Sequence, residues 1–99
     1  MKVKVRFLLH KTFGLEKDSY VFDNVDEDIT IIEFIKRLSK ELESEVMQKI
    51  IVESGGRGLL VLVNSVAIND LNKTFRSLRS LLKGSKEFEI TIAPLLEGG

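Results

Sequence analysis

The sequence has no cysteine and no tryptophan, and only one proline and one histidine in 99 residues. Without cysteine there is no disulfide, no thiolate metal site and no thiol nucleophile. A single histidine and scattered carboxylates supply no metal-ligand spacing. As a catalytic base His10 would need a nucleophile and an orienting acid, and no pattern provides them. It reads as a surface or strand-end residue. Nor is there an excess of charge. The 15 basic and 15 acidic side chains cancel, so no global field draws the chain toward nucleic acid or an anionic membrane. No apolar run approaches the ~20 residues of a membrane span. The opening Met1-Lys2-Val3-Lys4-Val5-Arg6 alternates charge with apolar side chains, which a signal-peptide core does not do. These absences predict a cytoplasmic protein with no catalytic residues of its own and no bound metal or cofactor. They also predict neither nucleic acid nor membrane as a partner.

What is present describes a folded domain. Apolar residues make up 43% of the chain and charged ones 30%, the balance of a globular sequence rather than a disordered one. The length suits a single core. Val3, Val5, Phe7 and Leu9 alternate with Lys2, Lys4 and Arg6, the period of a half-buried strand. A polar connection from His10 to Asp18 leads to a second strand, Ser19-Tyr20-Val21-Phe22-Asp23, and the two read as a hairpin. The period then changes. Thr30 and Glu33 form a capping box, and Ile31, Phe34, Ile35, Leu38 and Leu42 follow at helical spacing. Val46, Met47, Ile50 and Ile51 add a second short helix or extend the first.

Ser54-Gly55-Gly56-Arg57-Gly58 is a loop. No Gly-Lys-Ser/Thr follows it and a strand comes next, so it does not read as a phosphate cradle. Leu59-Leu60-Val61-Leu62-Val63 is apolar on both faces, as in a strand covered on both sides. One side meets the helix, and the other, with Leu60 and Leu62, meets more of this chain or a partner. Asn64-Ser65 turns the chain, Ala67-Ile68 reads as a short return strand, and Phe75, Leu78 and Leu81 or Leu82 give a helical turn halted by Gly84. Phe88, Ile90 and Ile92 alternate with Glu87, Glu89 and Thr91 in a last strand. The order of elements predicts an α+β domain, a mixed sheet packed on one main helix in a β-grasp arrangement. Asp23, Asp26, Glu27 and Asp28 lie just ahead of the helix, where negative charge suits its dipole, and they lack a calcium-loop pattern. Lys2, Lys4, Arg6 and Lys11 make a basic stripe that guards the strand or docks an acidic patch.

The expected division is a domain over 1–93 and a flexible tail over 94–99. Pro94 starts that tail stiffly, and Leu95 and Leu96 are apolar outside any expected core. Gly98 and Gly99 allow an extended thread through a channel too narrow for a Cβ. At an average glycine usage of about 7%, a terminal glycine pair arises by chance roughly once in 200 chains. Capture of an extended C-terminal segment is a known recognition mode.

These pieces together resemble the MoaD/ThiS family of sulfur carriers, related to the ubiquitin-like modifiers. The resemblance is carried by the strand Val3–Leu9, the helix start Thr30-Ile31-Ile32-Glu33-Phe34-Ile35 and the strand end Val61-Leu62-Val63-Asn64. It continues through the turn Leu82-Lys83-Gly84 and the ending Ile92-Ala93-Pro94-Leu95-Leu96-Glu97-Gly98-Gly99. The chain departs from the family where Gly84-Ser85-Lys86-Glu87 replaces Gly-Asp-Glu ahead of the last strand.

The resemblance implies a ubiquitin-like β-grasp fold and chemistry at Gly99. An adenylating, ATP-using activating enzyme would convert the Gly99 carboxylate to an acyl-adenylate, and a sulfur donor would then make a thiocarboxylate. A sulfur-acceptor synthase subunit would use it, with molybdopterin biosynthesis as the implied pathway and this chain as the small subunit of molybdopterin synthase. Two alternatives stay open. An amine could attack instead, joining Gly99 to target-protein lysines with or without tRNA thiolation, or the domain could be a passive interaction module.

Overall fold

A computed structural model describes residues 1–95. The expected site residues Leu96, Gly98 and Gly99 lie outside the described residues. Five strands form one mixed sheet: β1 (Val3–Phe7), β2 (Ser19–Phe22), β3 (Leu59–Val63), β4 (Val66–Ala67) and β5 (Phe88–Pro94). Their spatial order is β2-β1-β5-β3-β4. The two central strands, β1 and β5, run parallel in the register Val5–Ile90, and β3 runs antiparallel to β5 in the register Val61–Ile92. Two helices, α1 (Ile31–Glu41) and α2 (Glu45–Ser54), complete the main framework. This is the ubiquitin-like β-grasp that the order of elements predicts.

Period-two alternation sends Val3, Val5 and Phe7, Val61 and Val63, and Phe88, Ile90 and Ile92 to the same inner face. Ile31, Phe34, Ile35 and Leu38 of α1 meet them, and all are buried. Two edge-to-face aromatic runs cross this core. One links Tyr20, Phe7 and Phe13, and the other links Phe22, Phe34, Phe75 and Phe88 at centroid separations of 5.2–5.7 Å.

The start of α1 pairs three of the donors that a helix leaves without an intrahelical partner, those of Ile31, Ile32 and Glu33, and its own ladder opens at Phe34. The N–H groups of Ile31 and Ile32 donate to the carbonyls of Lys73 and Leu71 at 2.9 and 2.8 Å. Glu33 N–H donates to Thr30 Oγ1 at 3.2 Å, and Phe34 N–H donates to Thr30 O at 3.0 Å. The segment 71–75 is thereby tied across the helix start, and Phe75 is carried into the core with no exposed area.

Several local expectations change. α2 is a separate helix because Glu43 takes a left-handed backbone (φ 54) and Ser44 caps the new N-terminus. The 10–18 connection holds a 3₁₀ helix, His10–Phe13, that buries Phe13 completely. Leu9 does not continue the inward face of β1. Its φ is 54 and its side chain is 59% exposed, because the chain turns there into the 3₁₀ segment. The return strand is Val66–Ala67, one residue earlier than the sequence suggests, because Asn64 and Ser65 (φ 47 and 69) close a two-residue hairpin. Positive φ at both turn positions matches the right-handed twist of the paired strands.

Candidate functional site: the end of the central strand at Pro94 and Leu95

The β5 strand determines where the C-terminal segment starts. The sequence reading puts the boundary at 93/94, but Pro94 is the last residue of β5, opposite Leu59. The reason is hydrogen-bond parity. Rungs fall at Asn64–Glu89, where Asn64 N–H donates to Glu89 O at 2.8 Å, and at Gly58–Leu95, where Leu95 N–H donates to Gly58 O at 2.9 Å. Leu59–Pro94 is therefore a non-hydrogen-bonded pair, where a residue without an N–H costs no rung. The described chain is held to the sheet through Leu95, whose side chain is 51% exposed.

The outer face of the sheet divides by chemistry. On the β1 side Lys2, Lys4 and Arg6 are exposed, with Lys4 opposite Glu89 and Arg6 opposite Thr91. On the β3 side Leu60 stands opposite Ala93, and Leu62 stands between Thr91 and Ala67. Leu60 is 37% exposed and Leu62 half-buried, so no described segment covers this strand from outside. Leu8 extends the apolar area, with its N–H on Ile92 O at 2.9 Å and its side chain exposed. Sequence reasoning names Leu60 and Leu62 and misses Leu8 and Ala93. The signal was an apolar residue, Leu8, in the register that otherwise holds Lys2, Lys4 and Arg6.

Beside this face runs an open groove of ≈ 650 Å³ between the loop that follows α2 and the segment 68–72, with Leu95 on its wall. The loop is built by packing. A Cβ on Gly58 would stand 2.7 Å from Ile50 Cγ2, and Gly56 (φ +93) faces Leu71 and Ile32. These glycines let the loop lie against its neighbours, as a plain loop requires.

The remaining motifs lie away from this face. His10 opens the 3₁₀ helix half-buried, and its carbonyl accepts Leu15 N–H at 3.1 Å. Among the described residues no three acidic or histidine side chains converge as metal ligands. Two members of the acidic cluster, Glu27 and Asp28, pair with arginines. Arg76 Nε donates to Asp28 Oδ1 at 2.8 Å, and Arg76 and Arg79 both reach Glu27. The Arg76 guanidinium, by hydrogen bond and by charge, holds the Asp28 carboxyl below its usual range. Among the described residues no helix is long and apolar enough to cross a membrane.

No protein-family model matches the chain, and a search of curated proteins finds no relative. Solved structures do match. SAMP1 from Haloferax volcanii is 17% identical, with a TM-score of 0.63 and full coverage of both chains. The HVO 2177 protein of the same organism is 20% identical at a TM-score of 0.68, covering all of this chain and 87% of that one. A complex of subunits 1 and 2 of molybdopterin-converting factor from Helicobacter pylori is 21% identical over the whole of both chains, at a TM-score of 0.46. The first two likenesses show the fold alone, a ubiquitin-like β-grasp.

Proposed function

We propose that this chain is a sulfur carrier whose working atom is the Gly99 carboxyl carbon. A carboxylate is a poor electrophile because its oxygen does not leave. An activating enzyme would join a Gly99 oxygen to the α-phosphorus of ATP and release pyrophosphate. Attack by a sulfur donor on the carbonyl carbon then expels AMP and yields a C-terminal thiocarboxylate. ATP belongs to the activating enzyme, and a sulfur-acceptor synthase subunit receives the product. Molybdopterin synthase, with this chain as its small subunit, is the specific destination proposed.

The observation that carries this reading is the delivery of the chain by β5. Leu95 is anchored at the apolar end of the outer face, and Gly99 lies four residues further along the chain. Four residues span at most about 14 Å, so a partner seated on Leu8, Leu60 and Leu62 would have Gly99 within reach of its own catalytic groups. Gly98 and Gly99 add no Cβ to a narrow channel. An apolar centre rimmed by Lys4, Arg6 and Glu89 is the ordinary make-up of a transient interface.

Intact-mass measurement after incubation with the activating enzyme, ATP and a sulfur donor tests the reading. Exchange of one Gly99 oxygen for sulfur is expected. Branched peptides on lysines of other proteins would favour the modifier instead. The last tryptic site is Lys86, so the remnant to search for is 87–99. A protein unchanged in both assays removes both readings. Leu60→Asp is expected to raise the KM for the activating enzyme by about tenfold while leaving the melting temperature nearly unchanged.

A further inference from the structure

We propose that Ser54 and Gly58 are positioning residues that determine where the C-terminal glycine is presented, by tying the root of the C-terminal segment to the last turn of α2. The inference rests on the carrier reading above.

The connection is a continuous run of hydrogen bonds. Ser54 Oγ donates to Ile50 O at 2.7 Å and accepts Gly58 N–H at 3.0 Å. Gly58 O in turn accepts Leu95 N–H at 2.9 Å. The two bonds that share Ser54 Oγ polarise each other, and the backbone of Gly58 joins them covalently to the bond from Leu95. Leu95, one residue past β5, makes the last hydrogen bond to this side of the sheet among the described residues. What Leu95 bonds to is not part of β3. Gly58 precedes that strand, and its place is fixed by the helix through Ser54 and by close packing on Ile50.

This placement suits positioning better than stability. Ser54 is half-buried and Leu95 half-exposed, both outside the buried core. The apolar face that would dock a partner, Leu60 and Leu62, takes its rungs further along β3 and does not depend on Ser54. Gly99 lies four residues past Leu95, so the anchor at Leu95 sets the point from which its carboxylate reaches. A misplacement of about 1 Å is enough to slow a reaction without weakening binding. Loss of the Ser54 hydroxyl should therefore appear in kcat and leave KM in place.

Two measurements on the full chain test this. The first is amide hydrogen exchange at Leu95 by NMR. Ser54→Ala is expected to speed it about fivefold, the worth of one ordinary hydrogen bond, and Ser54→Thr to keep it slow. The second is ATP–pyrophosphate exchange with the cognate activating enzyme. Ser54→Ala should lower kcat at least about fivefold at unchanged KM, and Ser54→Thr should restore it. Unchanged Leu95 exchange in Ser54→Ala, unchanged kcat, or a shift in KM alone would overturn the proposal while the carrier reading stands. A wild-type chain that supports no ATP–pyrophosphate exchange would overturn the carrier reading, and the proposal with it.

Discussion

At the scale of single residues, the two glycines Gly58 and Gly84 are needed for different reasons. Gly58 is needed for space, since its Cβ would press on Ile50 Cγ2. Gly84 is needed for conformation, since its φ is +87 with nothing within 4 Å of a built Cβ. Gly58→Ala is expected to cost about 1–3 kcal/mol as overpacking, and Gly84→Ala about 1–2 kcal/mol as left-handed strain. The two separate in an Ile50→Ala background, which removes the clashing methyl. There the Gly58→Ala cost should shrink by about 1 kcal/mol or more, and the Gly84→Ala cost should stay. Denaturant midpoints of the three single and two double variants measure this. Strictly additive costs would mean that contact with Ile50 is not why Gly58 is glycine. Left-handed backbone at Leu9, Glu43 and Lys83 was not legible in the sequence, because no side chain there prefers it. The surrounding elements impose it.

At the scale of elements, α1 was readable and α2 only half so. The α1 stripe Ile31, Phe34, Ile35 and Leu38 is long, and its cap is local: Thr30 and Glu33 are three residues apart. The start of α2 depends on a distant residue. Ser44 is buried, and its Oγ donates to Phe13 O at 2.7 Å, 31 residues away, while accepting Met47 N–H at 3.2 Å. One hydroxyl thus caps α2 and satisfies a buried carbonyl of the 3₁₀ segment. Ser44→Ala removes both contacts and leaves Phe13 O unpaired, so it is expected to cost about 2–3 kcal/mol. Thr30→Ala removes a single exposed cap bond and should cost about 1 kcal/mol. Urea unfolding of both variants provides the comparison. Equal losses would show that the bond to Phe13 contributes nothing. Pro94 belongs at this scale too, since its place in β5 follows from which pairs carry rungs, a parity no single strand displays.

At the scale of the whole molecule, the parallel pairing of β1 with β5 brings the two ends of the described chain together in the sheet centre. The loop before α1 is closed onto the 3₁₀ helix Arg76–Leu82 by the pairs of Glu27 and Asp28 with Arg76 and Arg79. These groups are largely solvent-facing, so their contribution is small and falls with salt. Its pH dependence is nevertheless specific. Asp28 has a lowered folded-state pKa, so its contribution is present above the unfolded value of about 3.9 and lost as pH falls through the folded one. Asp28→Asn is therefore expected to be less stable than wild type near neutrality, with the gap closing on acidification below about pH 4. Urea midpoints across that range check the sign, and a gap constant with pH would assign the effect to something other than the Asp28 charge.

By itself the sequence determined the element types, the inward faces of the strands and α1, the hairpins, and the glycine pair that carries the proposed chemistry. All of these are local, written in periods of two and 3.6 residues or in side chains within a few positions of one another. Tertiary structure decided which strands are neighbours, which apolar residues of β3 are left facing outward beside Leu8 and Ala93, and where Leu95, the last described residue, is held. Those depend on residues far apart in sequence: Ser44 with Phe13, Asp28 with Arg76, and Gly58 with Leu95. Each such contact forms only when packing of the core brings the two segments within hydrogen-bonding distance, which no local pattern encodes.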